Sequence, residues 1–173
     1  MKQLNIFEVQ SAPVKLLVKR KAGSTWSLFI DGASRKNPGE SGAGVYVLKN
    51  DIIAFRKGYY LGHKTNNQAE YLALLLGIFY CKKHMLPEDF VCIISDSELL
   101  IKQMKGMYKV KNPELRKYFD IACMLLQHIQ HSFKHVLREK NQEADALANE
   151  GIDKRAHPPQ EFLAILDIYE APL

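Results

Sequence analysis

The sequence predicts an α/β domain whose elements run βββαβααβα. Three observations carry this: turn-punctuated β-runs between Trp26 and Leu61, a change to helical spacing after Asn67, and two later β-runs each followed by a helical stretch. Trp26 to Asp31 is a strand ending at Asp-Gly, and the turn Asn37-Pro38-Gly39 with Gly42 and Gly44 separates it from Val45 to Lys49. Asn50-Asp51 is a hairpin turn. Ile52 to Leu61, rich in β-branched and aromatic residues, completes an antiparallel meander.

The period then changes. Ala69, Leu72, Ala73, Leu76, Phe79 and Tyr80 recur at helical spacing, which predicts an amphipathic helix over Asn67 to His84 capped by Thr65 or Asn66. Phe90 to Ile94 is a nearly continuous apolar run, as in a strand buried on both faces, and stops at Ser95-Asp96. Ser97 to Met104 is the next helix. Asn112-Pro113 opens a longer one with Leu115, Phe119, Ala122, Leu125, Leu126 and Ile129 inward, Pro113 standing in the favoured first turn. Phe133 to Leu137 is the last strand. Asn141 caps a final helix with Ala144, Leu147 and Ala148 inward, ending at Gly151 or slightly later.

The chain has 173 residues, 47% of them hydrophobic, enough for one domain with its own core. Its organisation reads as an N-terminal arm (1–24), a compact middle (25–154) and a C-terminal tail (155–173). The arm holds one β-like run, Val14 to Val18, and a basic patch, Lys19 to Lys21; the tail holds an amphipathic segment, Glu161 to Tyr169, anchored by Phe162, Leu163, Ile165 and Leu166 on its own domain or on a partner. The formal charge of +5 favours a polyanionic partner. Cys81, Cys92 and Cys123 lie far apart in apolar surroundings, so buried, reduced thiols are expected and not a zinc site or disulfide framework. No apolar run approaches the roughly 20 residues that span a bilayer. Met1 to Ser11 lacks a signal-peptide core, and a cytoplasmic monomer is the expectation.

Two acidic residues, Asp31 and Asp96, fall at strand ends, where sheets flanked by helices tend to place site residues; Glu70 and Asp145 fall in the first turns of helices. Singly, each has an ordinary role as a turn former or a complement to a helix N-terminus. Jointly they form a pattern, and with it the motifs Asp31-Gly-Ala, Asn37-Pro-Gly, Thr65-Asn-Asn-Gln-Ala-Glu70, Ser95-Asp96-Ser97 and Asn141-x-x-Ala-Asp145-x-Leu-Ala resemble, in order and spacing, those of type 1 ribonucleases H. The resemblance covers roughly three quarters of the chain. It implies the ribonuclease H-like fold, a five-stranded mixed sheet of three antiparallel strands followed by two parallel ones, in agreement with the element order.

The same resemblance implies an endonuclease that cuts the RNA strand of RNA/DNA hybrids, leaving 5′-phosphate and 3′-hydroxyl ends. Carboxylates gathered this closely repel by about 4 kcal/mol per near pair at an effective dielectric of about 20, and cations relieve that repulsion. Hard oxygen ligands select Mg²⁺ or Mn²⁺. By resemblance, Asp31 and Asp96 are central ligands and Glu70 and Asp145 complete two sites about 3.5–4 Å apart, one activating a water for in-line attack and one stabilising the leaving oxygen.

Sensing RNA requires contact with 2′-hydroxyls. The resemblance assigns that reading to Glu70 and to main-chain groups at Gly32 and Ala33. It assigns nucleic-acid contacts to Asn37, Asn66 and Asn67 and a DNA-strand phosphate to Thr65; turn and cap chemistry is the other role open to these four. Lys102, Lys105, Lys109, Lys111 and Lys117, with Tyr108, are candidates for salt-sensitive phosphate contacts.

The chain departs from the best-known family pattern in two ways. No histidine stands in a loop before Asp145; Arg138-Glu139-Lys140 occupies the approach, as in a compact-loop subgroup, and His135 falls inside the last strand as a structural residue without proton transfer. The extended basic protrusion is missing, Gly106 to Asn112 being a short connection, and the arm matches no hybrid-binding module. Three competing readings are a catalytically inactive binding protein of the same fold, a proofreading-type exonuclease, and a DNA-acting transposase or resolvase. The four intact carboxylates disfavour the first. The absence of Asp-x-Glu at Asp31 disfavours the second, and Thr-Asn-Asn-Gln-Ala-Glu the third.

Overall fold

The computed structural model describes residues 23–173; the expectations for the arm up to residue 22 lie outside the described residues. The elements are β1 (Thr25–Ser34), β2 (Gly39–Lys49), β3 (Ile52–Lys64), α1 (Asn66–His84), β4 (Phe90–Ser95), α2 (Glu98–Met104), α3 (Pro113–Leu125), β5 (Gln130–His135), a 3₁₀ turn (Arg138–Lys140), α4 (Gln142–Lys154) and α5 (Gln160–Ile168). One five-stranded sheet has the order β3-β2-β1-β4-β5. β1/β2 and β2/β3 are antiparallel, β1/β4 and β4/β5 parallel. The expected element order and mixed sheet are both present, with α5 added at the end.

Strand β2 begins six residues earlier than the sequence suggests, running through Gly42 and Gly44. The reason is packing. A Cβ on Gly44 would lie 1.9 Å from the Ala144 carbonyl oxygen and one on Gly42 2.2 Å from that of Ala148, so α4 rests its main chain directly on the strand. Glycine here is a spacer between a sheet and a helix, not a strand breaker.

Helix α1 lies on the other face. Gly77 admits Leu28 and Ile30 of β1. The helix is buried from Ala69 to Ile78 without interruption, because the sheet covers one side and α3 and α5 the other. The expected amphipathic helix is therefore apolar all round, as a sandwiched helix must be. Thr65 caps it in a reciprocal box with Gln68, and α1 starts at Asn66, which moves Glu70 to its fifth residue, beyond the first turn. Complementing the helix terminus no longer explains that acid.

Strand β4 shows an exposed end at Phe90 but a buried Val91, Ile93 and Ile94, and β5 runs Gln130–His135, ending before Val136 and Leu137. Helix α3 buries Leu115, Tyr118, Ile121, Ala122 and Leu125, while Phe119 is only partly covered and Ile129 lies beyond its end. The tail packs on its own domain. Phe162 and Leu166 are buried, Phe162 meeting Phe79 edge-on at 5.8 Å, and Tyr118 Oη donates to the Pro172 carbonyl at 2.5 Å. Each of the two apolar anchors contributes about 1.5–3 kcal/mol. Cys81 is buried as expected, Cys92 is half-buried, and Cys123 is exposed on the outer side of α3. Asp89, which the sequence did not single out, accepts from the Ser24 N–H, the Trp26 indole and the Leu86 N–H at 2.7–3.0 Å and fixes the start of β1 to the loop before β4.

Candidate active site

The site forms where β1 and β4 end side by side. Their parallel pairing stops at Phe29↔Ile94, and beyond it the chains diverge and carry Asp31 and Asp96. Asp31 stands opposite Gly44 on the face that α4 covers, which brings it towards Asp145. From the other face comes Glu70. A Cβ on Gly32 would lie 2.1 Å from the Glu70 main-chain nitrogen, so that glycine lets α1 press its N-terminal part against the strand end. Asp31, Glu70, Asp96 and Asp145 line one cleft of about 460 Å³, with Arg138 and Asn66 on its wall. The four predicted carboxylates are together.

Their environments differ. Asp31 and Glu70 are buried, only 6% and 5% exposed. Burial, followed by the charges of Asp96 and Asp145, lifts the Asp31 carboxyl from 3.8 to about 7, against the opposing pull of Arg138 and the Gly32 N–H. Burial, then Asp31 and Asp96, raises Glu70 well above the ordinary carboxylate range. Glu70 Oε2 is buried with no hydrogen-bond partner. Asp96 and Asp145 are half-buried and each already has a donor. Asn141 Nδ2 gives to Asp96 Oδ1 at 2.7 Å, and Arg138 Nη2 to Asp145 Oδ1 at 2.7 Å.

The donor set suits a hard divalent cation: four carboxylates, one buried oxygen unpartnered, and two acids whose ionisation the protein opposes. Among the described residues no three His, Cys, Asp or Glu side chains stand in ready-made ligand geometry. Asp145 is instead turned to Arg138 and Asp96 to Asn141.

The substrate-contact candidates form a polar shelf beside the acids. Asn37 Oδ1 accepts from the Asn66 N–H at 3.0 Å, joining the β1–β2 turn to the start of α1. The Thr65 hydroxyl accepts from Gln68 N at 3.3 Å and is 3.0 Å from Gln68 Oε1, to which it donates. Asn66 and Asn67 are exposed, Ala33 is half-buried, and Gly32 is buried. The turn and cap roles are thus real for Asn37 and Thr65. Lys102 is held by Glu98 at 2.7 Å, and Lys117 donates to the Glu170 carbonyl at 2.7 Å, whereas Lys105, Lys109 and Lys111 are exposed. His135 is not enclosed as a structural residue. It ends β5, exposed, with Nε2 3.2 Å from the Asp96 main-chain oxygen. Reasoning from sequence gave no site role to two residues here, Asn141, read as a helix cap and as the first residue of the motif that carries Asp145, and Arg138, read as part of the loop before it. Asn141 makes no side-chain cap bond.

Comparison with known proteins bears on the family and the fold. The family described as "Reverse transcriptase-like" matches residues 29–151. Ribonuclease HI of Halobacterium salinarum is 36% identical over 143 residues, 81% of this chain and 70% of that protein. The chain belongs to the ribonuclease H family. The crystal structure of RNase H1 from the same archaeon superposes with a TM-score of 0.71 over 75% of this chain and 98% of that one. LC11-RNase H1, solved in complex with an RNA/DNA hybrid, superposes at 0.68 with 35% identity over 75% of this chain and 97% of that one. A bifunctional protein of Mycobacterium tuberculosis is 35% identical over 129 residues, 73% of this chain; the ribonuclease H chain spans about 35% of that relative's length.

Proposed function

We propose that this ribonuclease H family member is a metal-dependent endonuclease that hydrolyses the RNA strand of RNA/DNA hybrids, leaving 5′-phosphate and 3′-hydroxyl ends, and acts as a monomer in the cytoplasm. The observation that carries this is the convergence of Asp31, Glu70, Asp96 and Asp145 on one open cleft, with a buried Glu70 oxygen left unpartnered, beside a shelf of Asn and Thr side chains. A relative solved on a hybrid supports the substrate class.

In this reading the four carboxylates hold two divalent cations, Mg²⁺ or Mn²⁺. Bound there, the cations supply a water of lowered pKa and neutralise charge on the phosphate. The chain's own groups do the rest. Glu70 and the main chain at Gly32 and Ala33 face the minor groove and bond the 2′-hydroxyls that DNA lacks. Thr65 turns its hydroxyl to a DNA-strand phosphate while Gln68 keeps the helix cap. Asn37 holds the shelf in place through the Asn66 N–H, and Asn66 and Asn67 present free amides to the duplex. Arg138 neutralises Asp145 between turnovers.

The test is cleavage of an end-labelled RNA/DNA hybrid in Mg²⁺, Mn²⁺ or chelator, beside RNA/RNA and DNA/DNA duplexes, with wild type and Asp96→Asn. Internal cuts in the RNA strand of the hybrid, dependent on metal and lost in the variant, are the expected result. Hybrid binding without any cleavage would make this a binding-only member of the fold. Cleavage of DNA would make it a DNA-acting one.

A further inference from the structure

The parallel β1/β4 ladder ends at Phe29↔Ile94. One residue on, the Ile30 carbonyl accepts from Asn141 Nδ2 at 2.9 Å, and the same nitrogen donates to Asp96 Oδ1 at 2.7 Å. Asn141 precedes α4, and its carbonyl accepts from the Asp145 N–H at 3.1 Å. One residue, 1% exposed, therefore touches the main chain just before Asp31, the side chain of Asp96 and the turn that carries Asp145. We infer that Asn141 is a positioning residue whose carboxamide serves as the next rung between β1 and β4, fixing Asp96 against Asp31 and Asp145 where the ladder opens.

The chemistry of the position selects an amide. The two groups to be joined are both acceptors, a carbonyl and a carboxylate, so the bridge needs two N–H donors on one atom. Only asparagine supplies them uncharged at this length. Aspartate would face both with oxygen alone. Alanine would leave the Ile30 carbonyl without its partner and Asp96 free to change rotamer. The residue also forgoes the usual service of an asparagine at a helix start, since its Oδ1 accepts nothing and is buried without a partner. Its orientation follows from the acceptors it joins.

This inference rests on the reading of the carboxylates as cation ligands, so its test includes binding without turnover. Mn²⁺ is titrated calorimetrically into the metal-free protein, and hybrid cleavage is measured alongside. Asn141→Ala is expected to weaken Mn²⁺ binding on the order of tenfold and to lower kcat, while KM for the hybrid stays within about twofold because Asn141 does not touch substrate. Asn141→Asp is expected to lose more than alanine, although it adds a carboxylate to a cation site. Circular dichroism checks that each variant is folded. Should Asn141→Ala not fold, Asn141→Gln, which carries the same amide one methylene further out, is expected to show the same weakening. Wild-type Mn²⁺ affinity in Asn141→Ala, or in Asn141→Gln where that variant is the one used, or tighter binding in Asn141→Asp, would overturn the inference and leave the cation reading intact. A wild type that binds no Mn²⁺ would overturn both.

Discussion

The four acids of the cleft divide into two pairs that the protein treats in opposite ways. Asp31 and Glu70 come from the buried end of β1 and from a helix covered on all sides, and the Gly32 N–H, joined at Asp31 by Arg138, offsets only part of the cost of charging them. Asp96 and Asp145 sit nearer solvent, and each is already gripped by a donor. The first pair stores electrostatic strain that only a cation or a proton relieves. The second pair is oriented in advance. In the proposed function, this arrangement would give a cation strained carboxylates on one side and a defined geometry on the other.

The sharpest way to separate the pairs is to neutralise one member of each. Asp31→Asn and Asp96→Asn are both expected to cut hybrid cleavage by a factor on the order of 10³ or more, the value of several kcal/mol of lost transition-state stabilisation. Their stabilities should part. In chelator at pH 8, Asp31→Asn is expected to be more stable than wild type by on the order of 2–4 kcal/mol, because a buried charge is gone. Asp96→Asn should change little, since an amide oxygen still accepts from Asn141. Urea unfolding decides it, and an Asp31→Asn protein no more stable than wild type would contradict the strained-pair account.

The pH dependence follows from the same asymmetry. The Asp31 carboxyl titrates near 7 in the fold and near 3.8 once unfolded, so between those values the native state binds the extra proton. Stability of the metal-free protein should fall as pH rises from about 4 to about 7 and level off above. Glu70, raised by burial and by the charges of Asp31 and Asp96, adds to the decline in the same direction. Saturating Mn²⁺ should flatten the profile, because the cation takes the place of the protons. A metal-free protein that gains stability across that window would show that both acids are ionised at little cost.

The distance between the pairs depends on glycine. Gly44 lies opposite Asp31 and beneath Ala144, one residue before Asp145. Gly44→Ala puts a methyl group where the α4 main chain now rests, and is expected to destabilise the fold by about 3 kcal/mol. It should also raise the Mn²⁺ concentration needed for activity, as α4 is pushed off the sheet. Thermal melts and a metal titration of the same variant check both, and a wild-type melting temperature would mean that α4 has room to spare.

These residues also mark what sequence could and could not disclose. The order of elements was legible because each segment has one dominant period, and the four carboxylates because they recur together in motifs whose order and spacing resemble one family. Gly42 and Gly44 looked like turn punctuation because a helix backbone pressing on them leaves no local trace. The position of Asn141 suggested a cap, and its two acceptors, in β1 and just beyond β4, lie 111 and 45 residues away in sequence. Cys123 looked buried because its neighbours are apolar, yet the helix turns it outward. Long-range partners, not local propensities, decided each of these cases.

Arg138 is the remaining contrast with Asn141, since both hold an acid of the second pair but only one is buried. The Arg138–Asp145 bridge is exposed, with side-chain exposures of 76% and 30%, so Arg138→Ala should move stability by no more than about 1 kcal/mol. Its effect should appear in metal binding and with the opposite sign to Asn141→Ala. A guanidinium paired with Asp145 competes with an incoming cation, and removing it should tighten Mn²⁺ binding a few-fold at low ionic strength. High salt should shrink that difference, because exposed charges are screened over about a Debye length. Weaker Mn²⁺ binding in Arg138→Ala would show that Arg138 aims Asp145 as Asn141 aims Asp96, and the second pair would then be pre-oriented by two positioning residues instead of one.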